Sequence, residues 1–487
     1  MYKLNQDRVP LLEAMGAYAN REIAAFDVPG HKRGKGVAIL NEYFGNQLMR
    51  LDTNSLPELD NVANPTSVIK EAQALLADAY GANAAFFMVN GSTSAIHCML
   101  MAALSPGDKV LIPKNSHKST LNGLILCGAH PVYMMPEQCK KEGLRKNMCP
   151  SVIEAHLDES PDIKAVFVLN PTYYGHVTDL KRIAKICQAR KVLLLVDEAH
   201  GAHFPFHPSL PDSAMECGAD MSAMSIHKTG GALTQASALL VNDARIDVAK
   251  VQQVINLMQS TSSSYLLMGS IDGARYHLVK NGEHQLTKAI GLVNDARDKI
   301  KKIPGLRIIG GDEEHARYFD PTKLGINVSG LGITGYQAYE IMWQHYDIQL
   351  EVAEFSHILA IISLGDCEQD LTRLTDALTR LSAKYYDPLV VKGKQLNVEM
   401  ETSPIISMSP RDAYFSDKEL VPIHKAMGRI SGESMMAYPP GIPIVSPGEL
   451  VTAKTIHTLE ALKGSGAYIV DHFDPELEKI LVIKEGL

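Results

Sequence analysis

Between residues 84 and 226, short apolar runs alternate with amphipathic stretches, and this alternation limits the possible folds more than any other feature of the chain. The apolar runs cover residues 84–89, 110–113, 131–135, 165–169, 192–196 and 221–226, each about the length of a strand. Between them, stretches such as 94–104 and 180–190 carry apolar residues at helical spacing. Strands that alternate with helices pair in parallel, because a parallel neighbour needs a crossover of about a dozen residues or more. The expected fold class is therefore α/β, with a large, mainly parallel sheet covered by helices on both faces. Ligands of such sheets bind beyond the carboxyl ends of the strands. Residues that close or follow an apolar run are thus the first candidates for chemistry.

A chain of 487 residues is too long for one ordinary core and leaves room for further domains. The first 66 residues are irregular, and Pro29-Gly30-His31-Lys32-Arg33-Gly34-Lys35-Gly36 interrupts any regular element there. A helix is expected over 67–80, with Val68, Ala72, Leu75, Leu76 and Ala79 on one face. Residues 271–302 read as one long helix. After it, 305–381 mixes strands and helices, with 349–352 and 359–362 as two of the strands. The pattern weakens after Tyr385-Tyr386-Asp387-Pro388, and the last part holds the block Tyr438-Pro439-Pro440-Gly441-Ile442-Pro443-Ile444. The expected division is an N-terminal segment (1–66), a large sheet domain (67–290), a smaller α/β domain (291–390) and a C-terminal domain (391–487).

The balance of 55 Asp and Glu against 47 Lys and Arg gives a net charge of −8, which argues against a nucleic-acid surface. The run Lys140-Lys141-Glu142-Gly143-Leu144-Arg145-Lys146 is short and mixed, and reads as a solvated loop. No apolar run reaches the roughly 18–20 residues of a membrane helix, and no basic start followed by an apolar stretch marks a signal peptide. The seven cysteines include no CxxC pair. Their odd number points to free thiols in a reduced, cytoplasmic protein. His and Cys never cluster at ligand spacing, so no metal site is expected.

Two residues at the ends of apolar runs carry the chemistry. Lys228 lies in Ser225-Ile226-His227-Lys228-Thr229-Gly230-Gly231, where a strand would give way to a loop, and Asp197 closes the run 192–196. A lysine that can carry an aldehyde and an acid that can pair with a pyridinium nitrogen are what a pyridoxal phosphate enzyme needs. Each has an ordinary reading too: a turn lysine, and a capping or ion-paired acid. Asn90-Gly91-Ser92-Thr93-Ser94 follows the first strand and opens a helix, where backbone N–H groups and hydroxyls suit a phosphate. Plain N-capping explains the same residues. His117 could stack on a cofactor ring or serve as a surface or capping histidine.

Taken in order, these blocks resemble the fold-type I ornithine/lysine/arginine decarboxylases, in their shorter bacterial form without a receiver-like wing domain. The blocks are Val28-Pro29-Gly30-His31-Lys32, Asn90-Gly91-Ser92-Thr93-Ser94, His117-Lys118-Ser119, Val196-Asp197-Glu198-Ala199-His200-Gly201 and Ser225-Ile226-His227-Lys228. Farther along come Thr261-Ser262-Ser263-Ser264-Tyr265, Ser409-Pro410-Arg411-Asp412-Ala413 and Gly428-Arg429-Ile430 with Tyr438 to Pro443. The resemblance implies the aspartate aminotransferase-like fold and pyridoxal 5'-phosphate as cofactor. It also implies decarboxylation of arginine, lysine or ornithine to the amine and carbon dioxide. By the same resemblance, Lys228 carries the cofactor, Asp197 pairs with its pyridine nitrogen, His117 stacks on one ring face and Ala199 packs on the other. Gly91, Ser92, Thr93, Ser225 and His227 line the phosphate, and Lys228 or His227 returns the proton to Cα. Thr261 would reach the phosphate of a neighbouring subunit, and Glu351 the distal cation of a substrate across the dimer, so a homodimer or larger assembly with shared active sites is implied. The competing reading of Glu351 is an exposed strand glutamate.

One block departs from the pattern. Where the family commonly reads Asp-Asp-Leu-His-x-Pro-x-Gly, this chain has Asp60-Asn61-Val62-Ala63-Asn64-Pro65-Thr66-Ser67. Relatives hold that segment near the active-site entrance, so the replacement bears on substrate choice and turnover. Two other functions stand beside decarboxylation. One is a same-fold aminotransferase or aldolase, which would use the same cofactor residues. The other is a non-catalytic paralogue, which would not need both Lys228 and Asp197.

Overall fold

A computed structural model describes residues 2–139, 144–145, 148–310, 318–388, 404–437, 441–464 and 467–485. Part of the run Lys140–Lys146 and Tyr438-Pro439-Pro440 lie outside the described residues; Leu144–Arg145 pairs antiparallel with Gln138–Cys139. Apart from that pair, the first strands along the chain are β1 (Ala84–Met88), β2 (Lys109–Pro113), β3 (His130–Met134), β4 (Ile163–Leu169), β5 (Leu193–Asp197), β6 (Met221–Met224) and β7 (Ser237–Val241). Five helices bear on the site: α1 (Val68–Ala79), α2 (Gly91–Ala103), α3 (Lys118–Cys127), α4 (Ile226–Thr229) and α5 (Tyr265–Ile300). Pairings are mixed and mostly parallel, as the alternation of runs requires.

The chain forms two compact units. The first comprises residues up to Ala103 together with Leu193–His284. Its strands lie in the order β1-β7-β6-β5. β5 runs parallel to β6, while β7 is antiparallel to both β6 and β1. Two reversals cancel, so β1, β5 and β6 all point the same way, and their carboxyl ends share one edge. β7 is absent from the expected strands. It is five buried residues long, too short to declare a direction or a partner by its pattern alone. It nevertheless brings the ends of β1 and β6 together, since its first residue Ser237 pairs with Met88 and Ala238 pairs with Met224.

Helix α1 forms as expected, but Ile69 rather than Val68 is buried, along with Ala72, Leu75, Leu76 and Ala79. Its start is fixed by a distant residue. The Asp60 carboxylate accepts the N–H groups of Asn61, Thr66, Ser67, Ile69 and Lys70, at 2.8–3.4 Å. The turn 29–36 serves a related purpose at another helix end: Arg33 donates to the carbonyls of Tyr18, Ala19 and Arg21. These close Pro10–Asn20, where the last carbonyls have no partner inside the helix.

The second unit comprises Leu104–Val192 and the chain from Gln285 onward. Its strands β4, β2 and β3 are parallel, with α3 crossing from β2 to β3. A second sheet adds β8 (Arg307–Ile308), β9 (Lys323–Asn327), β10 (Val352–Ala353) and β11 (His357–Ile361), in the order β8-β9-β11-β10 and antiparallel throughout. The strands expected at 349–352 and 359–362 are thus displaced by a few residues, and Glu351 falls just before β10 rather than within a strand. The long helix expected over 271–302 is α5, of 36 residues, and begins six residues earlier. Farther on, Lys418–Pro422 pairs with Lys479–Ile483, and Met435–Ala437 pairs with Ile442–Val445 and Ile469–Val470. Met435, Val445, Val451, Leu459, Ile480 and Val482 form the core under these strands.

Candidate active site

Three carboxyl ends of the first unit's sheet converge on one set of polar groups. Asp197 ends β5 and is 6% exposed. Its Oδ1 accepts the Ala199 N–H at 3.1 Å. Burial raises its pKa, and the Ala199 N–H and the Lys228 charge oppose that rise. A carboxylate kept out of water needs a cation to justify its charge.

Lys228 stands one strand away, past the end of β6. The expected loop is instead a single helical turn, α4, and its lysine lies inside that turn. The turn forms because Ser225 and Ile226 carbonyls accept the N–H groups of Lys228 and Gly230. Gly230 has no room for a side chain, since an added Cβ would come to 2.8 Å of the Ile226 carbonyl oxygen. The Lys228 Nζ lies 2.9 Å from the His200 Nε2. His200 is buried and sits three residues beyond Asp197. It appears in the sequence only as part of a block, with no role. The signal that could have found it is its offset from Asp197, which places it at the same sheet edge.

The hydroxyls gather at this edge as well. Ser225 Oγ donates to Ser92 Oγ at 2.8 Å, joining the residue after β6 to the start of α2. The Gly91 N–H donates to the Gln235 carbonyl, and the His227 N–H and Nδ1 both meet the Ala236 carbonyl. The lead-in to β7 therefore anchors both phosphate-loop candidates. Gly91 has φ +71°, and an added Cβ there would meet nothing within 4 Å, so the head of α2 is open. Thr93 is half-buried in the same first turn, and Ala199 is nearly buried beside Asp197. Open backbone at a helix start, flanked by hydroxyls, suits an anion. The edge as a whole thus fits a group with a phosphate at one end and a basic ring nitrogen at the other.

Other expected residues lie elsewhere. Thr261 is exposed in the bend between Val248–Met258 and α5. His117 and Glu351 belong to the second unit. His117 is the N-cap of α3, its Nδ1 accepting the Ser119 N–H at 3.2 Å. The capping role weighed for it is therefore present, whatever its ring faces. Glu351 is exposed and accepts the Tyr173 hydroxyl at 3.0 Å. The departing segment 60–67 is governed by Asp60 as a backbone acceptor, which explains an acid at that position without any part in chemistry.

Residues 9–370 match the family described as Orn/Lys/Arg decarboxylase, major domain, and residues 394–470 match its C-terminal domain. The chain is 39% identical over 484 residues to an arginine decarboxylase of Halalkalibacterium halodurans, covering 99% of this chain and 98% of that protein. It is 37% identical over 486 residues to the arginine decarboxylase of Bacillus subtilis, covering 99% of each. Among solved structures, the lysine decarboxylase of Francisella novicida superposes with a TM-score of 0.84 at 20% identity, over 98% of this chain and 81% of that one. The fold is the α/β fold type I of pyridoxal phosphate enzymes.

Proposed function

Since the chain belongs to the Orn/Lys/Arg decarboxylase family and is a decarboxylase of basic amino acids, we propose that its substrate is arginine and its cofactor pyridoxal 5'-phosphate, carried on Lys228. The single observation behind the cofactor assignment is the juxtaposition of a buried Asp197 with Lys228 and the Ser92–Ser225 pair at one sheet edge. The choice of arginine is supported by the names of relatives that match nearly the full chain at 37–39% identity.

Bound there, pyridoxal phosphate supplies an electron sink for the pair released when the Cα–carboxylate bond breaks. The residues then have separate tasks. Asp197 would pair with the ring nitrogen, from a buried position where the attraction is strong. Ser92, Thr93, Ser225, His227 and the head of α2 bind the phosphate. By the family resemblance, His117 and Ala199 would pack on the ring. The Lys228 Nζ receives and returns protons at Cα, with His227 as the alternative donor. His200, whose Nε2 lies 2.9 Å from the Lys228 Nζ, would hold that amine in place. Thr261 and Glu351 act in a neighbouring subunit's site, Thr261 on phosphate and Glu351 on the guanidinium, so the working form is at least a dimer. The setting is the cytoplasm.

The test is a substrate panel. Purified protein supplied with pyridoxal phosphate should release carbon dioxide from arginine and form agmatine, with lysine and ornithine well behind. Release from lysine alone would refute the substrate assignment. Keto-acid formation without carbon dioxide would refute decarboxylation in favour of transamination.

A further inference from the structure

We propose that the C-terminal region positions His117, chiefly through a buried ion pair between Lys114 and Glu449. The idea rests on the reading of His117 as the group that meets the cofactor ring. Lys114 immediately follows β2 and opens the loop that leads to His117. Its ammonium bonds the Glu449 carboxylate, and the two side chains are 8% and 5% exposed. The same ammonium lies 5.0 Å from the centre of the Tyr133 ring.

Glu449 is itself rigidly presented. It follows Gly448, whose φ of +92° suits glycine, and a Cβ there would come to 2.3 Å of the Met408 carbonyl oxygen. The Gly448 N–H donates to Ser431, and Ser431 donates back to Glu449. The main chain that carries this carboxylate is thus held on both sides of the turn.

Two further contacts grip α3 itself. At its first residue, the Lys118 N–H donates to the Gly441 carbonyl at 3.1 Å, and Lys118 Nζ pairs with Asp471 at 3.1 Å. At its far end, Arg411 donates to the Leu126 carbonyl at 2.8 Å. The loop before His117, the first turn after it and the last turn of its helix are thus each held by a residue between 411 and 471. A buried ion pair is a weak source of stability, because desolvation offsets most of its attraction. What such a pair does supply is direction. Here it lies three residues from a histidine whose Nδ1 accepts the Ser119 N–H.

The experiment is hydrogen exchange by mass spectrometry on the full chain, with and without pyridoxal phosphate, in the wild type, Glu449→Gln and Asp471→Asn. Exchange over 114–121 should rise about tenfold in Glu449→Gln and a few-fold in Asp471→Asn, while the helix Leu180–Ala189 keeps its wild-type rate. The bound cofactor's absorption maximum should shift in Glu449→Gln in the same direction as in His117→Ala. Unchanged exchange over 114–121 in both variants, or a uniform rise over the whole chain, would overturn the proposal. Asp471 is exposed, so that variant decides the matter even where Glu449→Gln folds poorly. A His117→Ala protein with unaltered absorption would instead remove the role given to His117, and the exchange data would still report on positioning.

Discussion

The Lys228 Nζ lies 2.9 Å from the His200 Nε2, and this neighbour is the part of the site that residue types alone did not reveal. The lysine, Asp197 and the two serines could be named in advance because each chemical task demands one kind of side chain at a strand end. His200 could not, because a histidine three residues past an acid has many uses. Lys228→Ala should leave no borohydride-fixable cofactor, read as loss of the reduced adduct by mass spectrometry; a retained adduct would assign the cofactor to another lysine. Beside Asp197, Glu198 is fully buried and accepts Ser222 Oγ and the Ala214 N–H. Burial pushes its pKa up to about 8, against these two hydrogen bonds. The folded protein therefore keeps a proton that the unfolded chain releases above its ordinary carboxylate pKa. Stability contributed by the protonated form is complete in mild acid and is lost as pH rises toward 8. Glu198→Gln, neutral at every pH, should flatten the fall in melting temperature between about pH 5 and 8. A variant whose melting curve tracks wild type across that range would show that Glu198 does not titrate there.

At the scale of elements, the ends matter more than the middles. Periodicity located α1, but the residue that starts it lies several positions upstream. Burial alone would raise the Asp60 pKa, yet the backbone N–H bonds it accepts outweigh burial and lower it. Its contribution is thus present above the ordinary carboxylate pKa and is lost as pH falls below about 4. Asp60→Ala should cost at least about 2 kcal/mol, since it removes a cap and strands several N–H groups. Denaturant titration checks this, and a loss under about 0.5 kcal/mol would mean that water replaces the carboxylate. The same reasoning explains the acid at the head of 60–67, where Asp60 organises its own loop; the replacements at Asn61, Ala63 and Ser67 have no structural explanation. Strand β7 shows the opposite failure. Four of its five buried residues are apolar, but nothing in them states that they run antiparallel, and that reversal is what aligns the ends of β1 and β6.

At the scale of the whole molecule, the proposed division of labour between subunits makes a distinct prediction. If Glu351 serves the site of a neighbouring subunit, Lys228→Ala and Glu351→Gln chains spoil different halves of each site. Each variant alone should be nearly inactive or show a greatly raised KM. Mixed and re-associated, they should recover up to about a quarter of wild-type activity at low arginine, because one site in each hybrid dimer is intact. No recovery from a proven hybrid would place Glu351 in its own subunit's site or outside it. The sequence by itself determined the α/β class, the family and the residues that must carry a cofactor, because period, strand-end position and side-chain chemistry are local properties written in order along the chain. Only the tertiary structure decided that Lys228 rests on His200, that β7 joins the two phosphate-loop candidates and that Glu449 reaches Lys114 from 335 residues away. Those facts depend on strand direction and on pairings between distant segments, which are settled by packing and hydrogen-bond satisfaction rather than by any local pattern.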